Sequence, residues 1–161
     1  MRIATLAAAL AVTAVTTAVA EAPCTPKDAV AAGKALDRVN TWEQLQKSWK
    51  DWKHCDSGQV ADSFTDAVMR LAVDWKNVEV LAAAMTADPQ YHDFILAHVK
   101  SDAAKDDRPA LYSRAKTNCP KGQDAFCADI AAATEGEKPL QTPGLLQPLP
   151  TLPPASAPPK K

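Results

Sequence analysis

The stretch Thr41–Gly58, TWEQLQKSWKDWKHCDSG, decides the fold class. Trp42, Leu45, Trp49 and Trp52 recur at steps of three and four, so they form one apolar stripe on a helix. Glu43, Gln44, Lys47, Lys50 and Asp51 fall on the other side. Thr41 followed by Gln44 has the form of a capping box, which sets the helix start at Trp42. The pattern carries it to about His54. There Lys50, Lys53 and His54 oppose the negative end of the helix dipole, and Asp56 or Ser57 is expected to cap the next helix.

Similar start signals recur on both sides. Thr25 before Pro26 reads as an N-cap with proline at the first helical position, opening a helix to about Val39. A third helix starts near Gln59 and buries Val60, Phe64, Val68, Leu71 and Trp75. Asn77 can cap a fourth, Val78 to Met85, although a single bent helix from Gln59 onward also fits. Asp88 and Pro89 open a fifth, whose stripe is Tyr91, Phe94, Ile95, His98 and Val99. Ser101 to Asp107 reads as a loop, Pro109 starts a sixth helix that includes Leu111 and ends near Asn118, and a last one runs from about Gln123 to Ala133. No alternating apolar run of strand length occurs, and no repeat of fixed period. The expected fold is all-α, a compact bundle of about six or seven helices.

The two ends differ from this body. Arg2 precedes an uncharged stretch, Ile3 to Ala20, rich in Ala, Val, Leu and Thr, which is the layout of a secretory signal peptide. Ala18, Val19 and Ala20 form an A-x-A site; cleavage after Ala20 is preferred to cleavage after Ala22, which would leave Pro23 first. An uncleaved anchor is the alternative, and the small residues of the stretch favour cleavage. At the other end, residues 138 to 161 hold eight prolines in 24 positions, so this tail is expected to be disordered and to sample polyproline II conformations. Extended, it would span about 70 Å. The helical domain is therefore assigned to residues 21–137. It carries 14 Lys and Arg against 19 Asp and Glu, a net of −5, and such an acidic body argues against a nucleic-acid partner.

Nothing after residue 20 is long and apolar enough to span a membrane, since Asp74, Lys76 and Glu79 interrupt Leu71–Met85. An exported product, periplasmic or extracellular, places its four cysteines where disulfides persist. Four cysteines allow three connectivities, which sequence alone does not separate. Geometry ranks them: Cys119 and Cys127 flank a short reversal at Pro120, Lys121 and Gly122, which leaves Cys24 to pair with Cys55 if the first two helices are antiparallel.

The chemistry-bearing residues have plainer readings. His54, Cys55 and Asp56 are consecutive, so on a helix they point about 100° apart and cannot converge. No C-x-x-C zinc spacing is present. His98, on an apolar stripe, reads as a packed and hydrogen-bonded residue. Asp102, Asp106 and Asp107 lack the spacing and glycine of a calcium loop, and read as a solvated loop with a helix cap. Trp42, Trp49 and Trp52 suit a core face, yet an indole edge left exposed would make an interaction surface. No G-x-S-x-G, H-E-x-x-H or phosphate-loop motif occurs, and no metal, cofactor or catalytic residue is assigned.

Three function classes follow. The first is a small exported interaction protein of immunity or inhibitor type, binding another protein of the cell envelope through an acidic face or a Trp edge. The second is an envelope-polymer hydrolase, which needs facing carboxylates or a His and a carboxylate in one cleft. The third is a structural or tethering role for the proline-rich tail.

Overall fold

Thr25 shows why the first helix begins where it does. Its hydroxyl accepts from the Asp28 backbone N–H at 3.2 Å, while its own N–H donates to the Asp28 carboxylate, closing a reciprocal capping box. From there the computed structural model, which describes residues 22–135, is built of seven α-helices among the described residues, with no strand. They are α1 (Pro26–Leu36), α2 (Trp42–Trp52), α3 (Gly58–Asp74), α4 (Val78–Ala87), α5 (Pro89–Lys100), α6 (Arg108–Thr117) and α7 (Asp124–Ala133). Single 3-10 turns follow α2 at Lys53–Cys55 and α5 at Asp102–Ala104. The leader expected at residues 1–20 and the tail expected at 138–161 lie outside the described residues.

Several ends differ from expectation for local reasons. The α2 capping box is incomplete: Thr41 accepts from the Gln44 N–H, but the Gln44 side chain takes the N–H of Asn40 instead. Ser57 precedes α3 without a side-chain cap, and Asp56 does not cap it either. Gly58, at φ 52°, turns the chain from the 3-10 segment into α3, a conformation that glycine adopts cheaply. Asn77 and Asp107 likewise stand at helix starts with no side-chain cap bond.

Between α3 and α4 the chain breaks rather than bends. Trp75 and Asn77 both sit in the left-handed region, at φ 57° and 50°. A non-glycine residue there costs about 1–2 kcal/mol, so other contacts must hold the turn. Two indoles do so: Trp42 Nε1 donates to the Lys76 carbonyl at 3.0 Å, and Trp75 Nε1 donates to the Asn118 carbonyl at 2.9 Å.

The core lies where α3 and α5 meet, with α1 and α2 on one side and α4, α6 and α7 completing the enclosure. Trp49 packs on Tyr91 with ring centroids 5.0 Å apart, and Phe64 meets Phe94 edge-on at 5.1 Å. Truncating such a buried aromatic to alanine costs about 3–5 kcal/mol. Two disulfides close the expected pairs. Cys24 and Cys55 have Cα atoms 4.9 Å apart, which brings the start of α1 beside the end of α2, and Cys119–Cys127, at 5.9 Å, spans the α6–α7 hairpin. Gly122, at φ 81°, makes the reversal of that hairpin. No helix among the described residues is long and apolar enough to cross a membrane.

Candidate functional site

The tract His54–Ser57 is divided among separate tasks. Cys55 is 1% exposed and bonded to Cys24, so it offers no thiol. His54 stands against the Trp52 ring. Asp56 turns inward, where its Oδ2 lies 3.1 Å from His98 Nε2. This contact, across 42 residues, explains why Asp56 is not a helix cap.

His98 is the centre of a buried polar chain. Its Nδ1 lies 2.8 Å from Thr65 Oγ1, and that hydroxyl lies 3.0 Å from the carbonyl of Ala61, one turn back in α3. If the single hydroxyl proton goes to Ala61, Nδ1 donates to Thr65 and Nε2 to Asp56, as an imidazolium does; in the neutral ring Nδ1 accepts from Thr65 instead. Either arrangement ties α3, α5 and the loop after Cys55 together. Hydroxyl, imidazole and carboxylate stand in the order of a nucleophilic triad, but order is not sufficient. Thr65 is 3% exposed, and the 240 Å³ groove that it borders is lined by Asp62, Asp66 and Asp107 beside Arg70. Three carboxylates oppose a developing oxyanion, and Arg70 is already held by Asp66 and by the carbonyls of Leu36 and Val39. Acyl transfer has no support there.

A second histidine was not singled out from sequence. His92, on α5, has Nδ1 3.2 Å from Asp93 and Nε2 3.2 Å from Asp129 on α7. The Asp93 hydrogen bond raises its pKa, with a further contribution from Asp129 that outlasts partial burial. His92 and Asp129 border a groove of about 310 Å³ with Met85 and Phe126. Both ring nitrogens face carboxylates, so the imidazolium acts as a clamp between α5 and α7 rather than as a base awaiting a proton. The adjacent Asp93 was legible in the sequence, whereas Asp129, 37 residues away, was not.

Asp102, Asp106 and Asp107 form no metal cage, and no group of three or more His, Cys, Asp or Glu side chains suited to a metal occurs among the described residues. The tryptophans divide as well. Trp42 and Trp49 are buried at 3% and 5% exposure, while Trp52 remains half-buried at the border of a groove between α1 and α2 with Arg38, Val39, Lys47 and Asp51. On the other side of α1 lies a larger groove, about 410 Å³, floored by Ala29, Gly33 and Val60. Helix α1 lines both, and on the wall of the larger one it carries Val30, 59% exposed and the one exposed large hydrophobic side chain among the described residues.

No family model, curated protein or solved structure matches this chain. The buried polar groups hold helices together, and the one exposed large hydrophobic side chain among the described residues, Val30, lies on α1. Sequence reading pointed to a Trp edge on α2 and did not single out Val30, which counts as an ordinary helical valine until its neighbours are known.

Proposed function

We propose that this protein is an exported helical binding module whose α1 surface holds another protein of the cell envelope, in the manner of an immunity or inhibitor protein. One observation carries the reading: Val30 stands exposed on the wall of the larger groove, and Trp52 borders a second groove that α1 also lines. An apolar anchor and an indole edge within a polar rim are what a protein interface uses. Lys34, Asp37, Ser57, Gln59 and Ser63 supply that rim on the α3 side. The signal-like N-terminus and the two disulfides are compatible with an oxidising compartment outside the cytoplasm.

The test is site-specific photo-crosslinking in intact cells. A crosslinking residue at Val30 should yield a discrete adduct with one envelope protein, and Trp52→Ala should weaken it. The same residue at Lys116, exposed on α6, should give none. Equal adducts from both positions, or none from Val30, would refute the reading.

A further inference from the structure

Charge is divided unequally over the described residues. Residues 22–54, which hold α1 and α2, carry six Lys and Arg against four Asp and Glu, a net of +2. Residues 55–135 carry eight against thirteen, a net of −5. The cationic excess of an otherwise acidic domain thus lies on its α1–α2 side, and the groove bordered by Trp52 runs through it.

Inside that groove the unspent polar groups are donors. Asp51, the one carboxylate lining it, is held by Lys47. The Arg38 side chain meets neither an acid nor a carbonyl among the described residues, although Arg70 and Lys76 both find carboxylates. The Gln44 side-chain oxygen accepts from the Asn40 N–H, which leaves its NH2 to donate. Trp52 Nε1, unlike the indoles of Trp42 and Trp75, bonds no acceptor among the described residues. Donors and a guanidinium without acceptors suit an anion.

Dimensions narrow the kind of anion. At about 280 Å³ the groove falls below the range of about 300–1,000 Å³ in which a small molecule is enclosed on its own. It follows α2 from Gln44 to Trp52, about 12 Å at 1.5 Å per residue, which is the length of about four residues of extended chain. Trp52 gives no open platform for a sugar ring, because the His54 ring stands against it with centroids 6.2 Å apart and the indole packs on the core.

We propose that the α1–α2 groove takes an acidic, extended segment of a partner protein, with a carboxylate on Arg38 and an apolar side chain against Ala35 and Trp52. The proposal rests on the reading of α1 as the surface that holds an envelope protein, and it names the chemistry of that partner. The acidic remainder of the domain repels such a segment elsewhere, which steers it to this side.

The experiment records the indole N–H signals of the isotope-labelled full chain by NMR, four in all, with Trp52→Phe identifying the one that belongs to Trp52. The probes are three capped hexapeptides that alternate leucine with glutamate, glutamine or lysine, and polygalacturonate as an anionic polysaccharide. The glutamate peptide should shift the Trp52 signal saturably, while those of Trp42 and Trp75, already bonded to carbonyls, hold still. Arg38→Glu should weaken this binding about fivefold with helicity by circular dichroism unchanged, and salt at about 1 M should weaken it as well. No shift of the Trp52 signal, equal shifts from the glutamine or lysine peptide, or a polygalacturonate shift matching the glutamate peptide's would overturn the proposal. A Trp52 signal that moves with protein concentration alone would overturn it in favour of a second copy. Loss of the peptide effect with capture at Val30 intact removes the acidic segment alone. A retained peptide effect with no capture in cells removes the envelope-partner reading instead.

Discussion

Removing the two disulfides one at a time should cost different amounts, and the difference follows from where each closes the chain. Cys24 and Cys55 are separated by 31 residues in sequence, Cys119 and Cys127 by 8. Chain-entropy arithmetic assigns about 3.7 kcal/mol to the first closure and about 2.5 kcal/mol to the second. Alanine pairs are the right variants, because Cys55 and Cys127 are buried and a serine at either site would bring a hydroxyl into the core. Unfolding entropy of about 2.1 cal/mol/K per residue gives about 240 cal/mol/K for residues 22–135, so the expected falls in Tm are about 15 °C and 10 °C. Scanning calorimetry under non-reducing conditions measures both. Urea titration supplies an independent sign, since a released unfolded chain exposes more surface and the m-value should rise. An equal loss from both pairs, or a larger loss from the short loop, would refute the loop-length reasoning. A Cys24→Ala/Cys55→Ala protein that stays folded at low temperature but loses partner capture would show that the bridge does more than hold α1 against α2.

The Thr65–His98–Asp56 chain predicts coupling: Thr65→Val and His98→Leu should each cost about 1–3 kcal/mol in urea denaturation, and the double variant less than their sum, with simple additivity arguing against the network. Tyr91→Phe should raise stability by about 1 kcal/mol, because the phenol is fully buried with no hydrogen-bond partner among the described residues, and burial pushes its pKa well up; a loss of stability would mean that the hydroxyl is satisfied. The His92 clamp sets a pH dependence. Its folded pKa lies above its unfolded one, so its contribution is complete below about pH 6.5 and is lost as pH rises through the folded value. Unfolding free energies from pH 5.5 to 8.5 should therefore decline in the wild type relative to His92→Gln, and parallel curves would remove the clamp.

Periodicity was enough to read a bundle of about six or seven helices from the sequence, because a helix that buries one side must repeat its apolar residues every three or four positions; whether α3 and α4 were one bent helix stayed open. Cap-then-proline pairs at Thr25–Pro26 and Asp88–Pro89 fixed two starts, since the cap's hydrogen bonds run to residues two or three positions away. The local Cys119–Cys127 hairpin was legible for the same reason. Non-local placement was not. The break at Trp75 depends on two indole bonds, one from Trp42 to the Lys76 carbonyl and one from Trp75 itself to the Asn118 carbonyl, 43 residues on. His92 meets Asp129, and Asp56 meets His98, only after helices far apart in the chain have packed.

The candidate site divides along the same line. Sequence by itself determined that the tryptophans lie on one stripe and that His54, Cys55 and Asp56 cannot converge, since both follow from the 100° step of a single helix. It could not say which edge of the stripe stays open, because exposure depends on what neighbouring helices cover. Tertiary structure buried Trp42 and Trp49, left Trp52 at a groove, and left Val30 exposed on α1.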